Sequence, residues 1–455
     1  MIDERDALLS DAASRAQTYL RGLAHRPVRV TPDANVQLQA LKTPLGDRPL
    51  DPIKVLRQLD EIGSPATTAT AGGRFFGFVV GGTLPVALAA NWLAAAWDQD
   101  AGMSSVCPIN ATLEEVVRGW LIDLFGLPED CGAAFVTGGT MANFSALAAA
   151  RSYVLAQVGW DVELDGLFGA PPVTVYLSDE VHVSVIKALG LLGFGRSRVV
   201  RLPVDRHGRI DATQLPPITG PAIVCTQAGN VNSGAFDPIE DICHWAHTAN
   251  AWVHVDGAFG LWAAASPTHA HLVNGIQLAD SWATDAHKWL NVPYDSGIAL
   301  VRRGEQLRKA MATNAAYLET TSVREPDQYT PEMSRRARGV EIWAALQSLG
   351  RSGLQDLIER TCQYAARFAS ELGRAGFEIL NEVQLNQVLV SFGPPEVTRR
   401  VIAAIQEDGT CWCGGTVWQG RTAMRISISS WATTDDDVTK SLEAMLRSAA
   451  MVREA

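Results

Sequence analysis

From about Thr112 to Val301 the chain alternates helix-like and strand-like runs, and this alternation limits the fold more than any other feature. CGAAFVTGGT is a short apolar strand entering a glycine turn, and MANFSALAAARSYVLAQ after it is an alanine-rich helix. PVTVYLSD, RVVRLPVD, PAIVCTQAG and WVHVDGAF follow as strands, with EVHVSVIKALGLLG and IEDICHWAHTAN as helices among them. SWATDAHKWL and SGIALVRR close the series. Strands alternating with helices over this length build a mostly parallel sheet covered on both faces, so the expected class is α/β.

Upstream, polar and apolar residues mix at helical spacing from Asp3 to Leu23 and from Asp51 to Ile62. This arm has too few apolar residues for a core of its own and is expected to pack on another domain or subunit. ATLEEVVRGWLIDLFGL reads as an amphipathic helix capped by Thr112. Residues 302–340 lack apolar periodicity and are expected to form a long functional loop. Beyond Val340 a helical stretch leads to strands FEILNE, QVLVSFG and AMRISISS and to the closing helix TTDDDVTKSLEAMLRSAA. A chain of 455 residues exceeds what one core supports. The expected divisions are an arm over 1–85, a large domain over 86–344 with its loop at about 302–335, and a smaller α+β domain over 345–455.

A net charge of −11 and a pI near 5.3 argue against nucleic acid or an anionic membrane as a partner. The most apolar stretch, Gly77 to Trp97, holds Gly81, Gly82, Pro85 and Asn91. A membrane span needs about 20 mostly apolar residues without such breakers, so a buried segment is expected there. The N-terminus lacks the apolar centre of a signal peptide. Seven cysteines without a tandem CxxC (Cys411 and Cys413 make only CxC) read as free thiols of a cytoplasmic protein, not as metal ligands.

Four features fall at strand-to-helix junctions. Lys288, in Thr284-Asp285-Ala286-His287-Lys288-Trp289, lies just past an apolar strand, and Asp256 ends another. Thr137-Gly138-Gly139-Thr140-Met141-Ala142-Asn143 is a strand, glycine turn and helix start that offers free N–H groups to an anion. It has neither the Lys-Ser/Thr of a Walker loop nor the GxGxxG pattern. His182 opens a helix directly after a strand. Singly, each has a commoner explanation: a surface lysine, a capping aspartate, a glycine turn, a core histidine. Together they match the needs of pyridoxal 5′-phosphate (PLP): an amine to hold the aldehyde as an imine, a carboxylate to keep the pyridine nitrogen protonated, donors for a phosphate, and a group stacked on the ring.

In order along the chain stand FFGF, CPINATLEEVVRGWL, TGGTMANFSALAAAR, SDEVHVSVIKALGLLG, GAFDPI, HVDGAF, DAHKW, AAYL, SRRARGVEIWAALQSLG and RISISSWATTDDDV. On these landmarks the chain resembles the group II PLP-dependent amino acid decarboxylases, which include aromatic amino acid, tyrosine and glutamate decarboxylases. The resemblance runs from about Phe75 to Val438. It implies the type I PLP-transferase fold, with a seven-stranded sheet, and a homodimer sharing two active sites with the arm across the interface. It also implies conversion of an L-amino acid to its amine and carbon dioxide.

By the same resemblance, Lys288 carries the cofactor, Asp256 pairs with the pyridine nitrogen, His182 stacks on one ring face and Ala258 packs on the other. Gly139, Thr140, Met141, Asp285 and His287 lie around the phosphate. Tyr317, in AAYL, matches a loop tyrosine that returns a proton to the substrate carbon. There are departures. Val231 stands where a threonine usually meets the ring hydroxyl, and Asp285 where asparagine is also found. Phe78 to Gly82 and Ala101 to Met103 lack the bulky walls of the aromatic enzymes, and Asp98 and Asp100 lie nearby. Aldehyde synthesis, retro-aldol cleavage or transamination on the same scaffold are the alternatives, and a non-catalytic homologue is a further one.

Overall fold

Seven strands form the larger sheet: β1 (Gly132–Val136), β2 (Thr174–Ser178), β3 (Val199–Leu202), β4 (Ala222–Gln227), β5 (Trp252–Asp256), β6 (Ser281–Asp285) and β7 (Gly297–Val301). The computed structural model describes residues 2–313 and 324–454. The strands lie in the order β1-β7-β6-β5-β4-β2-β3. Only β7 runs against its neighbours β1 and β6; the remaining pairs are parallel. Every residue of β1, β4, β5, β6 and β7 is buried, as expected of strands covered on both faces.

One face carries Trp282 and packs against Phe259, Trp262 and Trp289. The other is covered by the helices Gly139–Ala156 and Val183–Leu191. The first of these is rich in alanine because it lies against the sheet, with Ala142, Ala146, Ala149 and Ala150 fully buried. A second, antiparallel sheet contains β8 (Glu378–Ile379), β9 (Gln387–Ser391), β10 (Gly414–Trp418) and β11 (Arg421–Ser427), in the order β10-β11-β9-β8. Helices Pro395–Asp408 and Asp435–Glu454 pack on it. The 36-residue segment Gly339–Arg374 contributes to both cores and is interrupted at Gly350, whose φ of 60° lies in the left-handed region.

Several expectations need correction. Thr112 does not cap its helix: the helix begins at Pro108, and Thr112 donates to the Pro108 carbonyl at 2.9 Å. Proline at the first helical position, where its missing N–H costs nothing, sets the true start. The stretch after Arg302 opens with a helix, Gly304–Met311, rather than a loop; its buried anchor is Leu307. Strand β10 went unrecognised because Gly414 and Gly415 interrupt its apolar pattern, although Gln419 and Gly420 supply its hairpin turn. The apolar stretch 77–97 is not all core. Its helix Pro85–Trp97 buries only Ala87 and Ala90 and leaves Val86, Trp92, Leu93 and Trp97 exposed on this chain. Among the described residues no helix is long and apolar enough to cross a membrane.

Candidate active site

The strand ends bring the four sequence features to one edge of the large sheet. Asp256 is the last residue of β5, and Lys288 lies three residues past the end of β6. The glycine turn after β1 leads into helix Gly139–Ala156, and His182 is the N-cap of the helix after β2. Such an edge, beyond the carboxyl ends of parallel strands, is where sheets of this kind bind ligands.

Lys288 Nζ lies 2.8 Å from Asp285 Oδ2. Asp285 Oδ1 accepts the Gly139 N–H at 2.5 Å and lies 3.5 Å from His287 Nε2. The lysine, the aspartate and the anion cradle are therefore in contact. The glycines here are required by close approach: a Cβ on Gly139 would come within 2.7 Å of Asp285 Oδ2, and one on Gly297 within 2.4 Å of Gly138 Cα. No side chain caps the helix at Gly138, so first-turn N–H groups, those of Thr140 and Met141 among them, remain to meet an anion. His287 Nδ1 accepts the Ser296 N–H at 3.1 Å, its ring stacks on Tyr294 at 4.3 Å, and burial pushes its pKa down.

Behind Asp256 runs a chain of hydrogen bonds with a single direction. Trp252 Nε1–H donates to Ser281 Oγ (2.8 Å), and Ser281 meets His254 Nδ1 (2.9 Å). His254 Nε2 reaches Asn143 Oδ1 (2.8 Å). The Asn143 amide then donates to Asp256 Oδ2 (3.2 Å) and to Ser184 Oγ (3.1 Å), and Ser184 Oγ meets His182 Nδ1 (2.8 Å). Because the amide of Asn143 spends its N–H groups on Asp256 and Ser184, its oxygen must accept from His254 Nε2–H. That leaves His254 Nδ1 to accept from Ser281. The same logic makes His182 Nδ1 an acceptor, since the Ser184 backbone N–H also points to it at 3.3 Å. The His182 proton then resides on Nε2. His254 is wholly enclosed, and burial holds its pKa down to about 3, so it stays neutral. For His182 burial is again the largest influence and lowers the pKa; Asp256 opposes it, while Lys288 and Arg425 add to it.

Asp256 itself is 5% exposed, with its other oxygen accepting the Ala258 N–H at 3.2 Å. Among the described residues no cation lies within ion-pair distance of it. A buried carboxylate without a cation is costly, which makes this position suited to a cationic ligand atom. Ala258 is half-buried and its carbonyl accepts the Asp285 N–H at 2.9 Å. Tyr317 lies outside the described residues. Sequence reasoning missed Asn143, Ser184, His254 and Ser281 as a unit, because nothing in their spacing joins them. It also missed Arg425 of β11, a half-buried residue near enough to lower the His182 pKa and with no carboxylate within ion-pair distance among the described residues. Asp100 accepts the Gly102 and Arg335 N–H groups and holds its own loop.

The donor set fits a flat aldehyde cofactor with a phosphate arm. An amine, a buried carboxylate without a cation, a glycine cradle and two buried polar atoms without a partner among the described residues, Gln227 Nε2 and Ser296 Oγ, lie at this edge. Fold and site together define a PLP enzyme of the α/β type. The family profile of the pyridoxal-dependent decarboxylase conserved domain matches residues 37–393, and the chain belongs to that family. It is a PLP-dependent lyase that decarboxylates an amino acid. It is 26% identical to an aromatic-L-amino-acid decarboxylase of Bacillus atrophaeus, over 96% of this chain and 93% of the relative. It is 29% identical to the human cysteine sulfinic acid decarboxylase, over 72% of this chain and 69% of that one. An Oryza sativa TDC solved with PLP and tryptamine shares the fold, with a TM-score of 0.91 and 22% identity over 99% of this chain and 98% of its own.

Proposed function

We propose that Lys288 carries PLP and that Asp256, His182 and the Gly139 turn orient it for loss of the substrate's α-carboxylate. The observation that carries this reading is the Lys288 Nζ–Asp285 contact of 2.8 Å at the same edge as a buried Asp256 lacking a cation. PLP, when bound, supplies the electron sink for the bond that breaks. Asp256, held by Asn143 and Ala258, keeps a proton on the pyridine nitrogen. The N–H groups of Thr140 and Met141, at the Gly139 turn that Asp285 holds and with His287 beside it, form the phosphate end. His182 and Ala258 pack on the two ring faces, and His182 presents its Nε2–H toward the substrate. Asp285 receives Lys288 as an ammonium when the substrate's amine displaces it. Arg425 supplies the positive charge for a substrate carboxylate. Tyr317 returns the proton to the carbon.

The protein acts as a cytoplasmic homodimer on a small amino acid, without nucleic acid or membrane. The exposed Trp92, Leu93 and Trp97 on one helix support the dimer, since so contiguous an apolar face is suited to a second copy. The arm over 1–85 packs at that interface, the large domain spans 86–344 and the small domain 345–455. Lys288→Ala tests the assignment. The variant should fold, bind PLP without a borohydride-reducible link, and lose turnover by at least about a thousandfold. Full activity in that variant would remove Lys288 from the mechanism. A substrate panel scored for carbon dioxide, amine, aldehyde and ammonia identifies the amino acid and separates decarboxylation from aldehyde synthesis.

A further inference from the structure

The end of β4 holds a buried amide for which the site so far has no use. Gln227 is 4% exposed, and its Nε2 has no hydrogen-bond partner among the described residues. Its backbone is clamped by Asp237, which accepts the Gln227 N–H at 2.7 Å and returns its own N–H to the Gln227 carbonyl at 3.0 Å. Its side-chain orientation is also determined. Asn230 Oδ1 accepts the N–H groups of Asn232 and Ser233, so the other end of that amide is the donor, and it points at Gln227 Oε1 at 3.4 Å and at the Glu180 carbonyl at 3.3 Å. Gln227 Nε2 is therefore the free end, a buried donor with two hydrogens and no acceptor.

Its place in the sheet says what it faces. Gln227 pairs in register with Asp256, as Cys225 does with His254. Side chains alternate along a strand, so Gln227 shares the face of Cys225, which packs against helix Gly139–Ala156. It therefore stands beside Asp256 on the cofactor side of the sheet, on the strand away from β1. In the PLP ring, the nitrogen is flanked on one side by the edge bearing the phosphate arm and on the other by the edge bearing the methyl and hydroxyl groups. With the nitrogen at Asp256 and the arm toward the Gly139 turn after β1, the hydroxyl edge falls toward β4.

We propose that Gln227 Nε2 donates a hydrogen bond to the ring oxygen of PLP, fixed for that task by Asn230 and Asp237. The inference rests on the cofactor placement given above. The bond stabilises negative charge on that oxygen and so favours the yellow, long-wavelength form of the lysine-bound cofactor over the form with a neutral oxygen. The test compares the wild-type protein with Gln227→Met, which keeps the length of the side chain and removes the donor. PLP dissociation constants and absorption spectra are measured at one pH, beside melting curves. The Met variant should bind PLP about tenfold more weakly and shift absorbance from the long- to the short-wavelength band. Gln227→Glu, which places an acceptor against the oxygen, should do both to a greater degree. A folded Met variant with unchanged affinity and band ratio overturns the proposal, and if Met does not fold, an unchanged Glu variant overturns it equally. Absence of the long-wavelength band from wild-type protein loaded with PLP would instead overturn the placement of the cofactor at Lys288.

Discussion

Two neighbouring strands of the large sheet, β5 and β6, each end in a buried aspartate, and the two are prepared for opposite uses. Asp285 on β6 is satisfied within the chain: it meets the Lys288 ammonium, the Gly139 N–H and His287. Among the described residues, Asp256 on β5 receives only neutral donors, the Asn143 amide and the Ala258 N–H. A buried carboxylate is costly without a cation, so the absence of one at Asp256 among the described residues suits that position to a cationic ligand atom. What surrounds them differs accordingly. Asp285 is held by a backbone N–H and by charged or ionisable side chains, whereas Asp256 is backed by a chain of neutral groups reaching to Trp252.

Replacing each partner tests this contrast, and the largest effect is expected at Asp256. Asp256→Asn keeps the shape and removes the charge proposed to hold the pyridine proton. Turnover should fall by about a thousandfold, the ~4 kcal/mol scale of a broken buried ion pair, with the fold retained. Loss of less than tenfold would show that Asp256 does not face the cofactor's nitrogen. Asn143→Ala comes next, because it strips hydrogen bonds from Asp256, Ser184 and His254 together. About 2 kcal/mol of stability and roughly thirtyfold in turnover should be lost, and the Asp256→Asn, Asn143→Ala double variant should be no less active than Asp256→Asn alone. Additive losses would break the link between the asparagine and the carboxylate.

The neutral chain behind β5 also predicts an acid response. His254 has its pKa held near 3 against an ordinary 6.5, so the unfolded protein binds the proton more readily than the folded one. Stability is then complete above about pH 6.5 and declines as the pH falls toward 3, by about 2 kcal/mol at pH 5 from this residue. Urea denaturation of wild type and His254→Gln at pH 7 and pH 5 should show a smaller acid loss in the variant. An equal loss in both would place the acid sensitivity elsewhere.

The candidate residues at the three strand ends are legible in sequence because each stands where a strand pattern stops, beside glycine or a charge: Asp256 before Gly257, Lys288 after Asp285, Gly139 after Val136. The support behind them is not. Trp252, His254 and Ser281 lie within strands whose sequence reads simply as apolar runs, and Asn143 lies in an alanine-rich helix far upstream. Only the pairing of β5 with β6, which sets His254 opposite Ser281, brings them together. The helix Pro85–Trp97 misled in another way. Hydropathy alone does not distinguish a core segment from an exposed apolar face, so the apolar run reads as buried although its tryptophans are exposed. Thr112 was misplaced because a hydroxyl that bonds back to a carbonyl four residues earlier looks, in sequence, like a cap.

The smallest effect is expected at Asp285, and it is the sharpest check on the contrast. Asp285→Asn leaves an oxygen able to accept the Gly139 N–H and removes a negative charge from the end of the site assigned to the phosphate. A carboxylate beside a phosphate repels it, so PLP should bind about threefold more tightly to the variant, an effect that shrinks as salt is raised. Lys288 loses its ion-pair partner in the same change, which disfavours the free ammonium and opposes release of the cofactor from the lysine. Turnover should consequently change by less than about tenfold, with tighter cofactor binding as the separate readout. A loss of PLP affinity would mean that Asp285 orders the cradle more than it repels the phosphate. A collapse of turnover to the level of Asp256→Asn would mean that both strand ends face reacting atoms, and the division of labour between β5 and β6 would not hold.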